Sequence, residues 1–172
     1  MYHKTDSKRK GEIMFLYIFY GTFILLIGLA IYLAYKISAA DMRRRIIPDA
    51  YLFPLMIIGA IVTTFFPWPH HIDAGVIGMT FGYIMAAVIG LIFDRIIAHR
   101  NPTSDTPIGM GDIKLIAVGG LWCGPRGLAI SLVFACLFGA AWAYRKKQKF
   151  IPFAPFFIIG AILALIIIAV LL

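Results

Sequence analysis

A chain of 172 residues with 62% hydrophobic and 14% charged side chains cannot be an ordinary soluble domain, which carries about 25% charged residues. The mean hydropathy of +0.91 excludes intrinsic disorder. Two cysteines, Cys123 and Cys136, lying in or beside apolar runs, exclude a disulfide-stapled secreted fold. A net charge of +8 invites a nucleic-acid partner until the positions of the charges are considered.

Residues 13–35, 50–69, 74–93, 127–144 and 150–172 contain no Asp, Glu, Lys, Arg or His. Each is near the roughly 20 apolar residues that cross about 30 Å of hydrocarbon as a helix. The first follows a basic tail, residues 1–12, carrying Lys4, Lys8, Arg9 and Lys10. Its helix is expected from residue 13 to about residue 40, with Asp41 at the end. The tail, the apolar run and Ser38-Ala39-Ala40 together resemble a cleavable signal peptide. A run of 23 residues exceeds the usual 7–15 of such peptides and favours a retained span.

Pro48-Asp49 opens the second helix, since proline suits a first turn, and Pro67-Trp68-Pro69 closes it with an interfacial tryptophan. Asp73 is placed to N-cap the third. Small residues four apart in that helix, Gly78/Gly82 and Ala86/Gly90, and Ala135/Gly139 further on, read as close helix packing. His70 and His71 are adjacent and so do not share a helix face as an i, i+4 metal pair would. Residues 94–111 form the longest connection, with the polar stretch from Asn101 to Pro107 at its centre. The next run, 115–125, has 11 residues, about 16 Å as a helix. It starts inside the membrane or leans on its polar neighbours. The expectation is one all-α domain, residues 1–172, with six transmembrane helices, the fourth short.

With helices running back and forth, the ten Lys and Arg at Lys36, Arg43–Arg45, Arg95, Arg100, Arg145–Lys147 and Lys149 share one side. By the positive-inside rule that side is cytoplasmic and both termini are outside. These charges therefore read as topology signals and contacts to anionic lipid, with no nucleic-acid partner.

Five acids, Asp41, Asp49, Asp94, Asp105 and Asp112, fall on the same basic side. Acids at membrane depth are functional candidates by default. Asp112 sits in Gly109-Met110-Gly111-Asp112-Ile113-Lys114-Leu115, where two glycines permit close approach of another chain segment. A helix cap after a loop is the plain alternative for it. Asp49, Asp94 and Asp105 read as solvated loop charge.

These residues resemble a family. Gly109-Met110-Gly111-Asp112 matches the GxGD motif of membrane aspartic proteases, and its continuation through Lys114-Leu115 is the form found in type IV prepilin peptidases. Asp41, the arginines after it and Ile47-Pro48-Asp49 resemble that family's first catalytic segment. Ile151-Pro152-Phe153-Ala154-Pro155-Phe156 resembles its Pro-Phe-Gly-Pro segment, with Ala154 in place of glycine. The resemblance implies a membrane aspartic endopeptidase that cuts leaders from prepilins or pseudopilins at the cytoplasmic membrane face. It implies Asp41 and Asp112 as the catalytic pair, and no metal or organic cofactor. Gly109, Gly111, Lys114, Pro48 and Asp49 become motif positions along the approach of the substrate. No CxxC occurs, so the methyltransferase activity of the larger family members is not expected. A proton-coupled transporter or a non-catalytic pilus-assembly subunit is the rival reading, since paired acids in a small bundle suit both.

Overall fold

The computed structural model describes residues 3–66, 70–100, 109–147 and 151–171. They form five helices: α1 (His3–Arg44), α2 (Asp49–Phe65), α3 (Ile72–Arg100), α4 (Met110–Lys146) and α5 (Phe153–Leu171). Four segments, Glu12–Arg44, Ile72–Ile96, Met110–Lys146 and Phe153–Val170, are long and apolar enough to cross a membrane. At 17 residues α2 is shorter. The protein is an all-helical, multi-pass membrane protein.

Six apolar runs thus appear as five helices, and the difference lies at Gly124. There φ is 65° and ψ is 178°, a backbone region open essentially to glycine alone. Pro125 follows and is preorganised for a new first turn. Ser131 Oγ lies 3.8 Å from Cys123 Sγ, whereas eight residues of straight helix would put them about 12 Å apart. A Cβ on Gly82 would meet both Ile116 and Leu128. Residues 125–146 therefore turn back beside residues 110–123. The short run is resolved by this return: its last turn ends against protein, where His70 Nε2 lies 2.9 Å from the Trp122 carbonyl.

Several boundaries differ from expectation. The basic stretch before residue 13 is not a separate tail, because α1 is continuous from His3. Its Lys, Arg and Glu are good helix formers, and extending an existing helix avoids the cost of nucleation. At its other end α1 continues to Arg44, so Asp41 lies within the last turn rather than beyond it. Helix α3 begins at Ile72, which puts Asp73 inside the first turn and not at the cap. It runs on to Arg100, since neither Gly nor Pro interrupts residues 91–100. Asp94 is accordingly a helix residue and not part of a connection. Pro67-Trp68-Pro69, the stretch from Asn101 to Pro107 with Asp105, and Lys149 lie outside the described residues.

The core is built on α4. Against it α3 packs so closely that a Cβ on Gly78 would collide with the Gly120 carbonyl, and one on Gly120 with that of Gly78. Such backbone-to-backbone approach is the usual means of helix association where lipid removes the hydrophobic drive. Trp122 reaches across to α2, donating from Nε1 to the Leu55 carbonyl at 3.1 Å. Ile37, Leu52, Leu115, Leu128 and Phe157 are fully buried around this frame. Cys123 is buried, but Cys136 is exposed, because it shares an outward face with Val133 and Leu137. Helix α1 packs on α2 and α5, and among the described residues its backbone stays more than 8 Å, Cα to Cα, from α3 and α4.

Candidate active site

Asp41 is 5% exposed although it lies one turn from the end of a helix. The reason is the start of α5. A helix leaves its first four N–H groups without internal partners, and proline supplies none. Prolines at positions 152 and 155 bracket Phe153 and Ala154, so this first turn has two free donors. Both face one acceptor. The Ala154 N–H donates to Asp41 Oδ2 at 2.8 Å, and the Phe153 N–H is directed at the same carboxylate. The Pro-Phe-Ala-Pro segment is thereby a cradle for Asp41. Ala154 is 0% exposed, and its methyl group is accommodated where the family pattern has glycine. Beyond Asp41 the helix ends on Arg45, at φ 54°, whose N–H donates to the Asp41 carbonyl at 2.9 Å.

Asp112 is held differently. Gly109 is extended at φ −71° and ψ 148° and precedes the first residue of α4. Asp112, three residues on, accepts from the Gly109 N–H at Oδ2 over 3.3 Å. The plain reading as a helix cap is thus correct as far as it goes. The close approach expected at the glycines is also present: a Cβ on Gly111 would lie 3.0 Å from Ile47 Cβ. This brings the link between α1 and α2 against the first turn of α4, and Asp112 lies within electrostatic range of Asp41. Ile47, in the link that follows α1, is thus one contact joining the end of α1 to the first turn of α4.

Of the remaining acids, Asp49 is the first residue of α2 rather than a loop residue and, although 47% exposed, it is paired. Its Oδ2 accepts from Lys114 Nζ at 2.7 Å, which joins the first turn of α2 to that of α4. Pro48 precedes it in an extended conformation, and its carbonyl accepts from the Tyr51 and Leu52 N–H groups. Asp94 is half-buried, and its Oδ1 has no hydrogen-bond partner among the described residues. Asp105 lies outside them. Sequence reasoning missed the two N–H donors of α5 and the role of His70, whose Nδ1 also lies 3.0 Å from its neighbour's carbonyl. The paired prolines could have revealed the donors; His70 carried no comparable signal. Among the described residues no three of His, Cys, Asp and Glu assemble into a metal-binding group.

The model of the type IV leader peptidase family matches residues 24–144, a stretch that contains Asp41, Asp49, Asp112 and Lys114. The chain belongs to that family. A prepilin leader peptidase/N-methyltransferase of Burkholderia pseudomallei (strain 1026b) is 30% identical over 130 residues, 72% of this chain and 40% of the relative. Proteins of the same name from Xanthomonas campestris pv. campestris and Escherichia coli (strain K12) are 27% and 28% identical, over 72% and 75% of this chain. The match takes in 43% and 57% of those two relatives, so the chain spans about half the length of the curated proteins it resembles. No solved structure matches it. The family match ends at residue 144, before the α5 donors that hold Asp41.

Proposed function

We propose that the chain is an aspartic endopeptidase that removes the leader from prepilin-like substrates at the cytoplasmic face of the inner membrane. The observation that carries this reading is that Asp112 lies within electrostatic range of Asp41, at the end of the bundle where the basic residues gather. Two carboxyl groups can divide the work of peptide hydrolysis. One takes a proton from the attacking water. The other supplies its proton to the carbonyl oxygen; the proton taken from water then passes to the leaving amine, and the diol returns the second carboxyl's proton as it collapses. The α5 N–H donors fix Asp41 from behind, so that its orientation does not depend on its own flexible side chain.

In this reading the six-span topology holds, with the turn at Gly124 facing outward and both termini outside. The substrate's apolar helix lies in the bilayer beside the enzyme, which sets its scissile bond at the depth of the two acids. We further propose cleavage without methylation by this sequence, whose two cysteines form no CxxC. Co-expression with a candidate prepilin tests the peptidase: the leader should be lost on a gel with the wild type. It should be retained with Asp41→Asn or Asp112→Asn, both inserted normally in the membrane. Cleavage by either variant at wild-type rate would refute the assignment. The methylation claim fails if a substrate processed with added S-adenosylmethionine gains a methyl group on its new N-terminus.

A further inference from the structure

The first turn of α4 carries Asp112. The Asp112 carboxylate is tied to its own turn through the Gly109 N–H at 3.3 Å, and the backbone of α1, which carries the partner acid, comes no closer than 8 Å, Cα to Cα, to that of α4. Ile113 is buried in the core, and two further contacts with other elements hold this turn near the acid. One is steric, Gly111 against Ile47. The other is ionic, Lys114 Nζ to Asp49 Oδ2 at 2.7 Å. The ammonium also lies 5.9 Å from the centroid of the Phe53 ring, so α2 grips it from two of its own residues.

Helical phase gives this grip a direction. Residues two apart differ by about 200° around a helix, so Lys114 and Asp112 leave α4 on opposite faces. The Lys114 face, continued by Ala117, Val118 and Leu121, borders the apolar groove between α2 and α3. The opposite face, continued by Gly119 and Cys123, meets Phe157 and Ala161 of α5. Drawing Lys114 toward α2 therefore turns Asp112 toward the α5 start, where Asp41 is held.

We propose that Asp49 and Lys114 are a positioning pair that sets the rotation of the first turn of α4 and with it the aim of Asp112. The proposal rests on the peptidase reading. The side chains are 47% and 34% exposed, and ion pairs of that exposure are worth little as stability. Their value here is geometric. Small misplacement of a catalytic group is costly to rate even when the fold is intact.

The test uses the full chain in membranes or nanodiscs with a synthetic leader-bearing substrate. Lys114→Met and Asp49→Asn should each lower kcat by about two- to tenfold and leave KM within about twofold. The double variant should be no worse than either single one. Lys114→Arg and the exchanged pair Asp49→Lys with Lys114→Asp should recover most of the rate. Hydrogen exchange of the Gly109–Ile113 amides should quicken in the single variants and slow again in the exchanged pair. Unchanged kcat, additive losses, or a KM effect with normal kcat would each overturn the proposal, the last by showing direct contact with substrate. If the wild type cleaves nothing, the peptidase reading fails. The exchange measurement then decides the pairing by itself, and unchanged protection in the single variants overturns it.

Discussion

Helices α1 and α4 each contribute one acid to the site, yet they are built on opposite terms. α1 presents large apolar side chains on all sides from Ile13 to Tyr35, most of them exposed. Its upper part touches the bundle through Phe19 and Phe23, whose rings lie 4.2 and 4.7 Å from that of Phe66. α4 is the packed centre, buried through most of residues 113–128 and locked to α3 backbone against backbone. Their acids show the reverse pattern. Asp41, on the loosely packed helix, is buried and held by the N-terminus of another helix. Asp112, on the tightly packed one, is half-buried and tied to its own first turn. The precision of a carboxylate is set by the donors around it and not by the packing of the helix that carries it.

The sharpest way to break the comparison is to remove the acids. Asp41→Asn and Asp112→Asn should each reduce cleavage by about 10²–10⁴-fold, since an amide neither accepts nor supplies the proton. Insertion and thermal stability in detergent should change little for Asp112→Asn. Asp41→Asn should also lower stability, by about 1–3 kcal/mol, because it weakens the acceptor for the buried Ala154 N–H. Equal stability of the two variants would erase the distinction drawn between the sites.

Glycine substitutions test the packing half of the contrast. Gly120→Leu forces a side chain into the Gly78 carbonyl and should destabilise the fold by at least about 1–3 kcal/mol, as overpacking does. Gly28→Leu on α1, where nothing lies within 4 Å, should stay within about 0.5 kcal/mol of wild type. Comparable losses in a detergent melting series would show that α1 is packed after all. Gly124→Ala places a side chain at φ 65° and should cost about 1–3 kcal/mol, with the same melt as readout.

The smallest expected effect concerns the α5 cradle. Ala154→Gly keeps the N–H to Asp41 and should leave the cleavage rate within about twofold of wild type, because a hydrogen bond depends on the donor and not on the methyl group. Ala154→Pro removes that donor and should cost activity well beyond it. If the glycine variant loses as much as the proline variant, the methyl group and not the N–H supports Asp41.

The apolar runs, their charge-free lengths and the basic ends were legible in the chain itself, because lipid imposes a local rule on every crossing segment: about 20 apolar residues, with backbone groups paired within the helix. Asp41 and Asp112 stood out as candidates in the sequence, Asp112 beside two glycines at a helix start and the pair through the family motifs they resemble. Tertiary structure alone decided what those acids touch. Asp49 reads as a solvated charge until Lys114 is found opposite it across 65 positions of sequence. The α5 donors to Asp41 lie 113 positions away. No window along the chain contains such pairs, because hydrogen bonds and ion pairs of this kind are made by helix ends that meet only when the bundle closes. The reversal at Gly124 belongs to both levels. Gly-Pro marks a break in any sequence, but only the packing of Ser131 on Cys123 shows that the chain turns back.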